Sequence, residues 1–295
     1  MKKYLIVYNP VAGKDDNRIW IDRLVERIKY NNDLSKLVIT EYAEHGRNIA
    51  FENAVKYDVI VSAGGDGTLN EIATGVLDSG ADVSIGILPI GSGNDYYRNF
   101  GDPEDLDRAI ATITDGKEKL VDIGKGSSGK YLLNIASIGL DCLTVKNAKK
   151  LKKIVGGPLG YFLSLVYSLI VFKKQKLSIY IDDKKIEADS VLYCFGKGRT
   201  YGGGICIMPW SDCSDGVFHM VNMVDINKLL LILLSPSIAV GKHTKFKKYV
   251  KVYKGRKIRV ESEKKYDFNL DGEIFEGAET VEYECIPKVL SIMVQ

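Results

Sequence analysis

The sequence predicts a protein of two domains, an α/β domain with a parallel sheet followed by a mainly-β sandwich domain. Two observations lead to this fold class. Before Gly116, short apolar runs alternate with amphipathic segments, which is typical of parallel strands covered by helices. Beyond Gly116, the pattern changes to many short strands separated by turn signals, which favours an antiparallel sandwich. We therefore predict domains at residues 1–118 and 119–295.

Hydrophobic periodicity predicts the individual elements. In the first domain, strands are predicted at 4–8, 37–42, 58–62 and 85–89, and helices at 19–30, 47–55, 69–77 and 103–114. In the second domain, strands are predicted at 120–123, 131–137, 177–181, 190–196, 217–223, 249–252, 257–261 and 280–285. Two helical segments, near 142–172 and 226–240, interrupt these strands. The join between the domains is short, so we expect the functional site in the cleft between them.

The composition is that of a globular protein with reduced thiols. Of 295 residues, 45% are hydrophobic and 27% are charged, which argues against disorder. The five cysteines are scattered without a C-x-x-C pair, which argues against a disulfide framework or a zinc site. The longest apolar run, 159–172, is shorter than the about 20 residues that a membrane-spanning helix needs. We therefore predict a cytoplasmic protein.

Three loops that contain glycine each follow a predicted strand of the first domain. They are 9–13 (NPVAG), 64–71 (GGDGTLNE) and 91–95 (GSGND). Backbone N–H groups at such a strand-to-helix turn suit a polyphosphate, and the carboxyl ends of parallel strands face one crevice. Asp66 would repel phosphate alone, so its position in the second loop indicates a complex of a nucleotide with Mg²⁺. A tight turn would explain one such loop but not three.

These three motifs, in this order, resemble those of the diacylglycerol kinase catalytic family, in particular its soluble bacterial lipid kinases. The resemblance continues through 121–124, 134–141, 209–216 and 269–273, and departs mildly at Ser92, where threonine is commoner. It implies the two-domain architecture shared by NAD kinases and diacylglycerol kinases. It also implies ATP and Mg²⁺ as cofactors and transfer of the γ-phosphate to a lipid alcohol, with diacylglycerol giving phosphatidic acid.

The resemblance further implies a nucleotide site on the first domain. Its residues would be Asn9, Pro10, Val11, Ala12, Gly13, Thr40, Gly64, Gly65, Asp66, Gly67, Thr68, Leu69, Asn70, Glu71, Ser92 and Asn94. Lys14 directly follows the first loop and could pair with a phosphate.

A metal site and a catalytic carboxylate are also implied by the resemblance. The family holds Mg²⁺ through Asp215, with neighbouring ligands at Asp212 and at the backbone carbonyl of Val217. Asp66 and Asp95 are implied to reach this ion through water molecules. Without the resemblance, Asp215-Gly216 would be interpreted as a hairpin turn.

The proton of the attacking hydroxyl needs an acceptor, and the turn Asp271-Gly272-Glu273 offers two carboxylates. The resemblance puts the proton acceptor in this turn. We favour Glu273 as the base and Asp271 as its partner or a metal contact, and the opposite assignment stays open.

The chain also carries features expected of a protein that docks on a membrane. Residues 242–265 contain eleven Lys and Arg residues against two Glu residues, and lysines flank the apolar run 159–172. Such segments suit an anionic membrane surface, although paired solvated strands and a core helix would also explain them. We predict peripheral membrane association with a lipid substrate and no nucleic acid partner, and we leave a homodimer open.

Two alternative functions remain at this stage. A GGDGT loop also occurs in NAD kinases, but this chain has the LPIGSGND segment and lacks an NNE-type motif. The other alternative is a non-catalytic nucleotide-binding membrane adaptor, which would be expected to have lost acidic residues such as Asp66, Asp215 and Glu273. All of these are present.

Overall fold

In the part of the chain that the computed structural model describes, residues 1–13, 17–151, 163–164 and 167–295, thirteen strands form one continuous sheet. The strands are β1 (Lys3–Tyr8), β2 (Leu34–Ile39), β3 (Val59–Gly64), β4 (Ser84–Pro89), β5 (Lys117–Gly126), β6 (Tyr131–Leu132), β7 (Ile135–Gly139), β8 (Gln175–Ile181), β9 (Lys184–Gly196), β10 (Phe218–Val224), β11 (Val250–Gly255), β12 (Lys257–Leu270) and β13 (Glu273–Val294). The helices are α1 (Arg18–Tyr30), α2 (His45–Asn53), α3 (Asp66–Ser79), α4 (Leu106–Asp115), α5 (Leu140–Leu151) and α6 (Lys228–Ala239), and residues 163–164 and 167–171 are also helical.

The first domain contains a parallel sheet with strand order β4-β3-β1-β2. Strands β3 and β4 are buried along their whole length, as expected where helices cover a parallel sheet. Helix α1 contributes Ile21, Leu24 and Ile28 to the core, residues that recur every three to four positions on one helix face. This alternation confirms the predicted α/β domain.

The second domain is rich in antiparallel strands with two separate hydrophobic cores. Along β9, Tyr193 and Phe195 face a core shared with β8, β12 and β13, whereas Leu192 and Cys194 face a core shared with α6. Successive side chains of a strand point to opposite faces, so β9 contributes to both cores. The structure confirms the predicted β-rich second domain.

Strand β13 connects the two domains. Its early part pairs with β12, whereas Ser291 and Ile292 pair in parallel with Ser84 and Ile85 of β4. The hydroxyl groups of Ser84 and Ser291 lie 2.8 Å apart and are buried. The last part of β13 therefore belongs to the parallel sheet of the first domain and packs in its core.

Some element boundaries differ from those expected from the sequence. The strand predicted at 131–137 is divided into β6 and β7, because the N–H groups of Leu133 and Asn134 donate to the carboxylate of Asp271. The strand predicted at 280–285 extends over all of β13. Of the helix predicted at 142–172, residues 152–162 and 165–166 lie outside the described residues.

Candidate active site between the two domains

Two of the glycine loops meet at the carboxyl ends of β3 and β4. Gly65 adopts an extended conformation at the start of α3, and a Cβ atom added at Gly91 would collide with the Cα atom of Gly65. This close approach leaves no space for a side chain at Gly91. The first hydrogen bond within α3 runs from Leu69 N to Gly65 O, so the preceding N–H groups are free to point toward a ligand at the end of the helix. The arrangement suits the binding of phosphate.

Asp66 holds these two loops together. Its carboxylate accepts the N–H groups of Asp95 (3.1 Å) and Tyr96 (3.0 Å). Asn94 stabilises the second loop, because its amide donates to Pro89 O (2.8 Å) and Gly91 O (2.9 Å) and accepts from Gly91 N (3.0 Å). The Asn94 side chain is buried and engaged within the loop.

The remaining residues predicted for the nucleotide site lie around the same edge of the sheet. The Asn9 amide donates to the hydroxyl of Thr68 (2.9 Å), which joins the first loop to the start of α3. Thr40 directly follows β2, and Ser92 is exposed at the tip of the third loop. Lys14 lies outside the described residues.

Glu71 has a role that the sequence did not suggest. Its two carboxylate oxygens accept the N–H groups of Glu44 (2.9 Å) and Gly46 (3.0 Å). Since Glu44 has a left-handed conformation (φ 67°) at the start of α2, these hydrogen bonds hold the entry into that helix. Glu71 therefore positions α2 against α3.

Asp271 lies where the two domains meet. Its carboxylate accepts the N–H groups of Leu133 (2.8 Å), Asn134 and Ile135 (3.0 Å each), and the amide of Asn70 (2.9 Å). Burial raises the pKa of the Asp271 carboxyl to about 6, although the backbone hydrogen bonds favour its charged form. Asp271 and Gly272 both have positive φ, as the two central residues of a type I′ hairpin turn require.

Two spaces meet at Asn70 and Asp271. One is a cavity of about 230 Å³ that is also lined by Asp66, Asp95 and Tyr201. The other is a polar cleft of about 310 Å³ that is also lined by Glu273. Glu273 is exposed, and within the described chain no hydrogen bond engages its carboxylate. The structure therefore brings both acids of the 271–273 turn beside the start of α3.

Asp95 connects the first domain to a glycine-rich loop of the second. Its carboxylate accepts the N–H groups of Gly203 and Gly204, both at 2.7 Å. Burial raises the pKa of Asp95, while these two hydrogen bonds act in the opposite direction. The sequence analysis did not use the run Gly202-Gly203-Gly204, although three consecutive glycines were a visible signal.

Two of the residues predicted to hold Mg²⁺, Asp215 and Val217, contact the ammonium group of Lys197 instead. Lys197 Nζ lies 2.7 Å from Asp215 Oδ1 and also binds the carbonyl of Val217. It lies 2.9 Å from Asp122 Oδ2, and the Lys197 side chain is fully buried. Burial lowers the pKa of Lys197, but its hydrogen bonds to Asp215 and Asp122 outweigh this and raise the pKa overall, so the ammonium is charged.

The other predicted ligands are engaged elsewhere. The Asp212 carboxylate accepts the N–H and the hydroxyl of Ser214, both at 2.8 Å, while Asp66 and Asp95 accept backbone N–H groups. Over the described ranges, no three acidic, His or Cys side chains are grouped as ligands for a metal ion. The residues around Asp215 therefore do not fit a Mg²⁺ ion of the expected kind.

A second, apolar cavity of about 310 Å³ opens beside the interdomain cavity, and Tyr201 lines both. Its other lining residues come mainly from α5 and α6, with Leu192 from β9, and are largely aliphatic, including Leu140 and Leu231. The sequence analysis did not predict this cavity, because its walls come from segments far apart in the chain.

The two helical segments that cover this cavity, residues 167–171 and α6, have apolar outer surfaces. Leu169 and Leu231 are buried beneath them, whereas Tyr167, Ile170, Leu229 and Leu233 are each more than half exposed. We refer to these four exposed residues as the apolar face. Among the described residues, no helix is long and apolar enough to cross a bilayer.

The basic run 242–265 is exposed at all eleven of its Lys and Arg residues. Its first part follows α6 closely, because Lys242 N donates to Ser237 O (2.7 Å). In its second part, Lys257 and Arg259 form ion pairs with Glu284 and Glu261. The first part is therefore the part that directly continues from α6, the helix that carries Leu229 and Leu233.

The glycine loops, the carboxylates that face them from the β-rich domain and the adjoining apolar cavity form one site, which suits a kinase that acts on an apolar alcohol. The chain belongs to the diacylglycerol kinase catalytic family. Residues 3–126 match the diacylglycerol kinase catalytic domain, and residues 134–294 match the YegS C-terminal NAD kinase beta sandwich-like domain.

Individual relatives agree with this assignment. The chain is 32% identical over 274 residues to a diacylglycerol kinase of Staphylococcus saprophyticus, covering 92% of this chain and 89% of the relative. It is 29% identical over 276 residues to a diacylglycerol kinase of Bacillus subtilis, covering 92% and 90%. A crystal structure of a diacylglycerol kinase from Bacillus anthracis shares the fold, with a TM-score of 0.78, 22% identity, and coverage of 100% and 97%. These matches do not favour the NAD kinase-like or adaptor alternatives.

Proposed function

We propose that the protein transfers the γ-phosphate of ATP to the free hydroxyl of diacylglycerol and thereby produces phosphatidic acid. The observation that carries this proposal is the position of Asp271 and Asn70, at the meeting point of the polar cleft and the interdomain cavity that adjoins the apolar cavity. A phosphate bound at the start of α3 is accessible there to a hydroxyl held by the second domain.

In this proposal, the three glycine loops bind the phosphates of ATP through their backbone N–H groups. ATP binds as its Mg²⁺ complex, in which the metal neutralises part of the phosphate charge during transfer. Asp66 lies at the start of α3 beside these loops, so its charge is suited to this complex rather than to bare phosphate.

Glu273 is the proposed general base. Both oxygens of Asp271 already accept two hydrogen bonds each, whereas the Glu273 carboxylate is exposed in the cleft that it shares with Asp271. In the reaction, the lipid oxygen forms a bond to the γ-phosphorus and the bond from that phosphorus to the β-phosphate oxygen breaks. The hydroxyl proton passes to Glu273, and ADP leaves. Asp271 positions the turn that carries the base.

The apolar cavity and the apolar face support a lipid as the acceptor. The cavity offers space for part of an acyl chain, and the face above it would rest on the membrane that supplies the substrate. Lys245, Lys247 and Lys248 lie in the segment that follows α6 and are exposed, so they can attract anionic lipid headgroups.

The direct test is incubation of the purified protein with γ-labelled ATP, Mg²⁺ and mixed micelles that contain diacylglycerol. We expect labelled phosphatidic acid. Parallel reactions with ceramide, sphingosine and NAD define the acceptor. Labelled NADP without any labelled lipid would contradict the proposal. A protein that binds ATP but forms no labelled product would instead be a non-catalytic nucleotide-binding adaptor.

A further inference from the structure

We propose that the ammonium group of Lys197 is a built-in cation that takes the place of a divalent metal ion at Asp215. On this inference, the second domain is held in its folded arrangement without bound Mg²⁺, and Mg²⁺ is required only with ATP.

The contacts of Lys197 match the chemistry of an ammonium group. It has three N–H donors and no acceptor, and it meets three oxygen atoms, from Asp122, Asp215 and the carbonyl of Val217. Lys and charged groups in general are rarely fully buried unless they are paired in this way. The Lys197 side chain has no exposed surface, so this pairing is required for its burial.

The acidic partners of Lys197 are themselves fixed by neighbouring groups. Asp122 also accepts the N–H groups of Gly216 (2.6 Å) and Lys288 (2.9 Å). Asp215 Oδ2 lies 2.9 Å from His219 Nε2. Through these contacts, Lys197 connects the end of β9 to β5, to the 215–217 turn and to β13.

A Mg²⁺ ion would compete with Lys197 for the same oxygen atoms. Mg²⁺ requires about six oxygen ligands at roughly 2.0–2.1 Å, and Asp215 and Val217 are the predicted ligands that converge here. An ion bound to these two groups would lie close to the fully buried ammonium of Lys197, and two cations at such a distance repel strongly where water is largely excluded. The site therefore fits one cation, and Lys197 provides it.

The test measures thermal unfolding without nucleotide, so its outcome is independent of whether the protein phosphorylates diacylglycerol. The wild-type protein is compared in excess EDTA and in excess MgCl₂, and its divalent metal content is measured after dialysis. We expect the same Tm in both solutions and no stoichiometric metal. A Tm that falls in EDTA and recovers with Mg²⁺, or one tightly bound divalent ion per chain, would overturn the proposal. Both measurements use the unaltered chain.

Two variants complete the test. Lys197→Asn removes the ammonium, and Lys185→Asn makes the same change at an exposed position of β9, the strand that Lys197 directly follows. Because loss of the ammonium leaves the buried carboxylate of Asp122 uncompensated, we expect Lys197→Asn to lower Tm by about 10 °C, whereas Lys185→Asn shifts it by roughly 2 °C or less. We also expect MgCl₂ to restore part of the Tm of Lys197→Asn. A variant as stable as the control, or one whose Tm does not respond to MgCl₂, would show that Lys197 does not replace a metal ion.

Discussion

Asp66 accepts the backbone N–H of Asp95 at 3.1 Å, and this contact begins a series of hydrogen bonds that crosses between the domains. The Asp95 carboxylate continues the series by accepting the N–H groups of Gly203 and Gly204. The acid at the start of α3 is therefore part of both the phosphate loops and the domain interface. Experiments on Asp66 must separate these two contributions.

Asp66→Asn keeps the size of the side chain and removes its charge. We expect kcat to fall by about 100-fold or more, because a preorganised charge beside the transferred phosphate is lost. Tm should fall by less than in Asp271→Asn, since Asp66 accepts two backbone N–H groups whereas Asp271 accepts four hydrogen bonds. Asp78→Asn, at an exposed ion pair at the other end of α3, should leave kcat unchanged. Near-normal turnover in Asp66→Asn would mean that the loop is only a turn.

Glu273→Gln removes the proposed base without changing its size. Loss of a general base typically lowers the rate by about 10²–10⁴-fold, and we expect kcat to fall within that range with little change in the Kd for ATP. Asp271→Asn is the comparison, because its amide would face backbone N–H donors and should lower Tm as well as kcat. If Glu273→Gln is fully active and Asp271→Asn is inactive but folded, Asp271 is the base.

Activity should decrease as the pH falls through about 6, because the Asp271 carboxyl then takes up a proton and gives up hydrogen bonds that it accepts. The pH dependence of kcat on a soluble short-chain diacylglycerol measures this effect. The same group affects stability in the opposite direction. Its folded pKa of about 6 exceeds its ordinary value of 3.8, so its contribution to the free energy of unfolding is present below 3.8 and is lost as the pH rises through 6. A kcat that is constant between pH 5 and pH 8 would contradict the expected role of Asp271.

Gly91→Ala should lower Tm, because its Cβ atom would collide with the backbone of the neighbouring glycine loop. Backbone displacement of this kind typically costs about 1–3 kcal/mol. Gly67→Ala is the matched control for thermal stability, because nothing lies within 4 Å of an added Cβ atom there and alanine is favoured within a helix. Equal Tm values for Gly91→Ala and the wild type would contradict the close approach of the two loops.

Vesicle binding should depend on the basic residues that follow α6. Neutralising Lys245, Lys247 and Lys248 together should weaken binding to phosphatidylglycerol vesicles, since each contributes about 1 kcal/mol near an anionic surface. Activity on a soluble short-chain diacylglycerol should be unchanged. Neutralising Lys257 and Arg259, which already form ion pairs, should weaken binding less. Equal loss of activity on diacylglycerol in vesicles and on soluble short-chain diacylglycerol would show that these three lysines support the fold instead.

The apolar face can be tested separately from these charges. Leu229→Ser with Leu233→Ser should weaken binding in high salt, where the Debye length falls to about 3 Å at 1 M and lysine contacts are screened. Binding that is lost completely in salt, with no effect of the leucine changes, would indicate a purely electrostatic contact.

The parts of the site that could be predicted from the sequence are those encoded in contiguous residues. The loop around Asp66 combines glycines, an acid and the start of a helix within eight positions, so its chemistry is visible locally. The turn Asp271-Gly272 is likewise a strong local signal. The spacing of apolar residues also predicted that the first domain is α/β and that the second is mainly β.

Contacts between distant segments could not be predicted in this way. Lys197 stands between two glycines with nothing nearby in the sequence to indicate that it is buried beside Asp122 and Asp215. The bond between Asp95 and the 203–204 loop spans more than a hundred positions. The apolar cavity likewise depends on how α5, α6 and β9 are packed, which periodicity does not define.

The path of β13 has a consequence for how the protein folds as it is synthesised. Strand β4 is synthesised early, but its partner residues Ser291 and Ile292 lie in β13, which is synthesised after all of the other strands. During translation, β4 would therefore present an unpaired edge next to the nascent glycine loops, which is a risk for wrong pairing. The first domain reaches its final sheet only after the second has been made, so we expect folding to couple the two domains into one cooperative step.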